Sequence, residues 1–108
     1  MSLPESLQKY RQAILEAVDD GLSILGDEPV KRAFYFQLEK RAKMTRKEIP
    51  NNLDVFHEVL VDMFYQGAII LERRMAREFY EMLNLQFEGN NGWSLYDYVK
   101  NAELLMSK

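Results

Sequence analysis

His57 is the only histidine of the sequence, and cysteine is absent. A zinc peptidase motif of the type His-Glu-x-x-His needs a second histidine one helical turn later, and Val61 stands at that position. Without cysteine there is no thiolate ligand, no cysteine nucleophile and no disulfide. A di-iron site in a helical bundle would require paired Glu-x-x-His motifs, which the sequence lacks. We therefore expect no metal and no other cofactor.

Glu72 is the acidic residue best placed for chemistry, because its neighbours at helical spacing, Ala76 and Phe79, belong to an apolar face. A carboxylate in such a place must find a cation or several donors, or become protonated. We expect a buried salt bridge to a basic residue of the second helix. The alternative is a catalytic or ligand-binding carboxylate in a polar pocket with Tyr35 or Tyr80. No nucleophile elbow or glycine-rich phosphate loop accompanies it, so we expect no enzyme.

Basic side chains are concentrated in one segment, where they could contact phosphates. They are Lys40, Arg41, Lys43, Arg46 and Lys47. The net charge is −3, but residues 28–47 carry seven basic and two acidic side chains, whereas residues 48–66 carry four acids and no lysine or arginine. Such segregation suits charge pairing within the fold or with a partner. A nucleic-acid-binding transcriptional regulator using segment 40–47 is the alternative function, although the turn around Pro50 is too long for a helix-turn-helix.

Arg73, Arg74 and Arg77 form a second basic group that could also be offered to phosphates. Residues four apart are neighbours on a helix surface, so we expect Arg74 to pair with Glu78 and Arg77 with Glu81. These pairs would partly neutralise the group.

The elements that position these groups are predicted to be helices, because apolar residues recur at three- and four-residue steps. The first helix is predicted over residues 4–25, with Gly21 marking a close crossing. Asp27 is expected to cap the second helix. Thr45 and Glu48 have capping-box spacing for a short helical turn after it.

The same period continues through the second half of the chain. Asn51 or Asn52 is expected to cap the third helix, and Gly67 either separates it from the fourth or marks a kink. The fourth helix is apolar over a wide arc and should be the central one. Ser94 and Asp97 have capping-box spacing at the start of the fifth. The sequence thus predicts an all-α fold, a single compact bundle of about five helices.

Length and composition indicate one domain over residues 1–108. Apolar residues make up 47% and charged residues 29%, as in ordinary globular proteins. No run approaches the roughly 20 apolar residues of a membrane-spanning helix, and the start MSLPESLQKY has no signal-peptide pattern. We expect no membrane contact and a cytoplasmic location.

Several large apolar residues fall outside the predicted buried stripes. They are Tyr35, Phe36, Val61 and Tyr65. The second helix either packs between two neighbours or offers its aromatic surface to another chain. We expect the partner to be a protein, either a different one or a second copy in a homodimer. The resulting hypothesis is a non-enzymatic helical interaction module.

Four stretches carry a resemblance to a known family. They are LGDEPVKRAFYFQLEK at 25–40, EIPNN at 48–52, FYQGAIILERR at 64–74 and LQFEGNNGWSLYDYV at 85–99. The chain resembles the small archaeal domains known as Nitrosopumilus-type output domains. The resemblance implies a five-helix fold and an archaeal cytoplasmic protein whose relatives occur alone or joined to signal-transduction modules. It implies an output or adaptor role and no particular functional residue.

Overall fold

The computed structural model describes residues 5–107, with side chains from Leu7 onward. Within that range the chain forms five α-helices and one short 3₁₀ helix, and no strand. They are α1 Glu5–Leu22, α2 Glu28–Ala42, the 3₁₀ helix Arg46–Asn51, α3 Leu53–Phe64, α4 Gly67–Met82 and α5 Leu95–Met106. The predicted all-α bundle of about five helices is confirmed. No helix among the described residues is long and apolar enough to cross a membrane.

The first helix ends at Leu22, earlier than the predicted Leu25. Ser23 follows the last helical residue, and its hydroxyl donates a hydrogen bond to the carbonyl of Asp20. Short polar side chains compete in this way with the backbone pattern of a helix. The chain then leaves the helical path, and Ile24 is 49% exposed. The predicted start of this helix lies outside the described residues.

Of the predicted caps, the two capping boxes form, whereas Asp27 and Asn52 occupy the N-cap positions of α2 and α3 without a side-chain hydrogen bond to the helix amides. Ser94 N–H donates to the Asp97 carboxylate at 2.9 Å, and Asp97 N–H donates back to the Ser94 hydroxyl at 3.3 Å. This reciprocal pair satisfies amides that the first turn of α5 leaves without a helical partner. Thr45 N–H donates to Glu48 at 3.0 Å and opens the 3₁₀ helix in the same manner. Asn52 precedes α3, with its side-chain amide donating to the Glu48 carbonyl at 2.9 Å.

Gly67 is the first residue of α4, so the third and fourth helices are separate rather than one kinked helix. Tyr65 and Gln66 form the whole connection. Tyr65 reverses the chain with a φ of 52°, a value that bulky residues rarely adopt. Its side chain is 75% exposed.

Helix α4 is the central element, as predicted, and it packs against α1, α3 and α5. Its contact with α1 is the most extensive in the fold. The two backbones approach so closely that a Cβ atom on Gly21 would lie 2.3 Å from Cγ of Met75. The helices α1 and α4 therefore cross closely at Gly21, as the sequence predicted.

Helix α2 lies at the periphery and contacts chiefly α3. Its buried residues are Phe34 and Leu38. The Phe34 ring meets the Phe56 ring edge-on at 6.1 Å and stacks on the Phe64 ring at 6.2 Å. Phe36 points away from this contact and is 63% exposed. The aromatic surface of α2 is therefore only partly used inside the fold.

Candidate functional site

Glu72 is the only charged residue among the described ones that is fully buried. Its Oε2 lies 2.7 Å from Nδ1 of His57, and its Oε1 accepts a hydrogen bond of 3.0 Å from the backbone N–H of Leu95. These contacts connect α4 to α3 and to the first residue of α5. The expected salt bridge to the second helix is wrong, because α2 packs on α3 and the group that reaches Glu72 belongs to α3.

The roles of donor and acceptor in this pair depend on the protonation of Glu72. When Glu72 is ionised it only accepts hydrogen bonds, and Nδ1 of His57 then carries the proton that points at it. Burial raises the pKa of the Glu72 carboxyl above its ordinary range, against the opposing effects of the Leu95 N–H and of His57. Both carboxylate oxygens are thus occupied in a place without solvent.

The polar pocket predicted around Glu72 does not form within the described part of the chain. Neither Glu72 nor His57 lines one of the main cavities there. The Tyr80 hydroxyl donates to the Tyr98 carbonyl at 2.7 Å, and the Tyr35 hydroxyl donates to Asp19. The contacts of Glu72 connect α4 to α3 and to the start of α5.

The raised pKa of Glu72 predicts a pH-dependent contribution to stability. In the unfolded chain Glu72 has the ordinary glutamate pKa of about 4, and in the folded protein its pKa is higher. As pH rises between these two pKa values, the unfolded chain releases a proton that the folded protein still holds. Stability from this group is therefore greatest at the acidic side of that window and falls across it. We expect the unfolding free energy of wild type, minus that of Glu72→Gln, to decrease with pH there. Urea denaturation at a series of pH values measures it, and a flat difference contradicts it.

Two of the predicted contact residues are used inside the fold. Arg46 binds Asp19 through its guanidinium, with an Nη2 to Oδ2 distance of 2.7 Å, and the Tyr35 hydroxyl donates to the same carboxylate. Burial raises the pKa of Tyr35 well above its usual range, so this hydroxyl stays a donor. The cluster joins α1, α2 and the 3₁₀ helix. Tyr35 is therefore half-buried rather than a free partner contact, and the charge of Arg46 is already paired.

The other candidates remain at the surface. Phe36 is 63% exposed, Val61 37% and Tyr65 75%. The basic residues Lys40, Arg41, Lys43 and Lys47 are also exposed, and none of them forms an ion pair within residues 7–107. The Lys40 ammonium lies over the ring of Phe36, 5.9 Å from its centroid.

Among the described residues no direct ion pair joins Arg74 to Glu78 or Arg77 to Glu81, although the charge of Arg74 opposes the rise that burial causes in the pKa of Glu78. Arg74 instead reaches across to Asp20 on α1, with an Nε to Oδ2 distance of 3.0 Å. Arg77 lies over the ring of Phe87 at 5.5 Å. The approach of α1 to α4 brings Asp20 to the arginine, and the loop after α4 brings the aromatic ring.

The structure also shows a groove that the sequence did not indicate. Its volume is about 370 Å³, and it is lined by three isoleucines and three arginines: Ile24, Ile69, Ile70, Arg73, Arg74 and Arg77. The adjacent residues Ile69 and Ile70 could have indicated it, because two consecutive residues of one helix do not both point into the core. The contribution of Ile24 depends on the early end of α1. We call this surface the arginine groove.

The fold and these surfaces define an all-α helical domain with a histidine–glutamate pair, whose glutamate is buried, and an apolar, basic outer face. Comparisons with family models, with curated proteins and with solved structures find no match to this chain.

Proposed function

We propose that the protein is a non-enzymatic helical interaction module that binds a protein partner, with a second copy as the favoured partner. The observation that carries the proposal is the exposure of Tyr65 at 75%, directly after the end of α3, together with that of Phe36 at 63% on α2, the helix that packs against α3. Aromatic side chains are costly to leave in water and are enriched at protein interfaces. Their exposure is explained when another chain covers them.

The biological setting belongs to the same proposal. The resemblance noted for the sequence supports an output or adaptor role in archaeal signal transduction. A cytoplasmic location fits a sequence without cysteine.

Light scattering over a range of protein concentrations tests the proposal. The wild-type mass is expected to rise from monomer towards dimer, and Phe36→Ser and Tyr65→Ser are each expected to shift this rise to higher concentration. Leu104→Ser is the matched control, because Leu104 is also 63% exposed but lies on α5. Circular dichroism establishes that each variant is folded. A strict monomer at every concentration contradicts the proposed self-association.

Nucleic-acid binding is the second candidate. It is favoured by the exposed side chains of Lys40, Arg41, Lys43 and Lys47, which have no acidic partner in the part of the chain that the structure describes, whereas Arg46 is held by Asp19. Phosphate attraction is strongest at low salt, so duplex and single-stranded DNA and RNA at low salt are the decisive ligands. Absence of binding there removes this candidate.

A further inference from the structure

The arginine groove combines exposed apolar surface with cationic charge. Ile24 is 49% exposed, Ile69 43% and Ile70 66%. Large apolar side chains grouped in this way and bordered by charge are typical of interaction sites. A segment that fills the groove must therefore be apolar where it meets the isoleucines and acidic where it meets the arginines.

Two arginines of this groove have no acidic partner within residues 7–107. Within that range no ion pair is formed by Arg73 or Arg77, and Arg77 lies over the Phe87 ring. Nε of Arg73 is buried inside the chain, so a carboxylate from outside would bind the terminal nitrogens of this guanidinium, a group that binds carboxylates especially well. Because Arg73 and Arg77 are four residues apart on α4, they point from one side of the helix.

The outer face of α3 has the complementary chemistry. Glu58 and Asp62 are exposed and form no ion pair among the described residues. They share one face with Val61, since the three residues lie at three- and four-residue steps, and the exposed Tyr65 follows directly after the end of the helix. This face is therefore an acidic and apolar strip on a helix that belongs to the chain itself.

The spacing of the two surfaces also matches. Four residues along a helix span about 6 Å, so two acids and two arginines at that spacing can pair together when the helices run antiparallel. In that register Asp62 meets Arg73 and Glu58 meets Arg77.

We infer that the arginine groove binds the outer face of α3 from a second copy of this chain. The inference rests on the proposed self-association and specifies its contacts. It gives the exposed Val61 and Tyr65 a binding surface, and it supplies carboxylates to Arg73 and Arg77. The contact weakens as salt is added, because its charges are partly exposed and are screened.

Charge exchange tests this arrangement. The variants Arg73→Glu/Arg77→Glu and Glu58→Arg/Asp62→Arg are each expected to raise the dissociation constant of self-association at least roughly tenfold, by placing like charges together. Mixing the two variants restores association, because each then offers the charge that the other lacks. The chain that carries all four substitutions also associates again. Analytical ultracentrifugation measures each constant, and circular dichroism confirms folding.

Arg41→Glu/Lys47→Glu is the matched control, since it makes the same change of charge on exposed residues that contact neither the groove nor Phe36, and it leaves association unchanged. If wild type associates but the mixture does not recover, the inference is overturned while the proposed function stands. If wild type is a monomer throughout, the proposed self-association fails and the inference with it. Loss of nucleic-acid binding in Arg73→Glu/Arg77→Glu, with association unchanged, also overturns the inference.

Discussion

Replacing Glu72 with alanine is expected to lower the free energy of unfolding by about 2–4 kcal/mol. The substitution removes the only acceptor recorded for the buried N–H of Leu95 and the partner of His57 Nδ1. It also leaves a void where a fully buried side chain stood. Since His57 is 36% exposed and can turn to water, most of the loss comes from the Leu95 amide and the void. Urea denaturation followed by circular dichroism measures the change.

Glu72→Gln is the control, because glutamine keeps the shape and an oxygen that can accept from Leu95. Its amide can donate to His57 when the imidazole changes tautomer. We expect a loss of less than about 1 kcal/mol near neutral pH, since removing a buried charge offsets the weaker hydrogen bonds. Equal losses for both variants would show that the carboxyl geometry is not what holds the three helices.

The fold was predictable from the sequence because its signals are local. The Ser94 and Asp97 capping box involves residues three apart, and the spacing of the apolar residues shows most of the buried side of α4, whereas Val30 of the stripe predicted for α2 is 40% exposed. A close helix contact at Gly21 was predictable because glycine lowers the stability of a helix, and a close contact with another helix offsets that loss. Helix ends were less predictable, since Ser23 stops α1 by a hydrogen bond that competes with the helical pattern.

The pairing of charges was not predictable, because it depends on which helices lie side by side. The sequence indicated that Glu72 needs a partner. It did not indicate which one, because a different packing of the helices would bring a group other than His57 to Glu72. Arg74 forms its ion pair with Asp20, 54 residues away in the sequence, and not with Glu78 on its own helix. A side chain off the buried stripe is also ambiguous, since Tyr35 is tied to Asp19 while Tyr65 stays exposed. Helix packing decides all of these cases.

Replacing Gly21 with alanine is expected to lower the free energy of unfolding by about 1–3 kcal/mol, although alanine is the better helix former by about 1 kcal/mol. The new Cβ would lie 2.3 Å from Cγ of Met75 and 3.3 Å from the carbonyl oxygen of Leu71. Met75 is fully buried, so it cannot move aside into water. The α1–α4 contact must therefore widen, and thermal or urea unfolding measures the cost.

Gly67→Ala makes the same chemical change at a helical position with space. There the new Cβ would meet only Cβ of Phe64, at 3.7 Å, which is ordinary contact. We expect the substitution to stabilise the protein by a few tenths to about 1 kcal/mol, because alanine restricts the unfolded chain and favours the helix. The two variants should thus change stability in opposite directions. If Gly21→Ala stabilises the protein as Gly67→Ala does, α1 and α4 are not in close contact at Gly21. The position of the arginine groove depends on that contact, because Ile24 follows it by three residues and lines the groove.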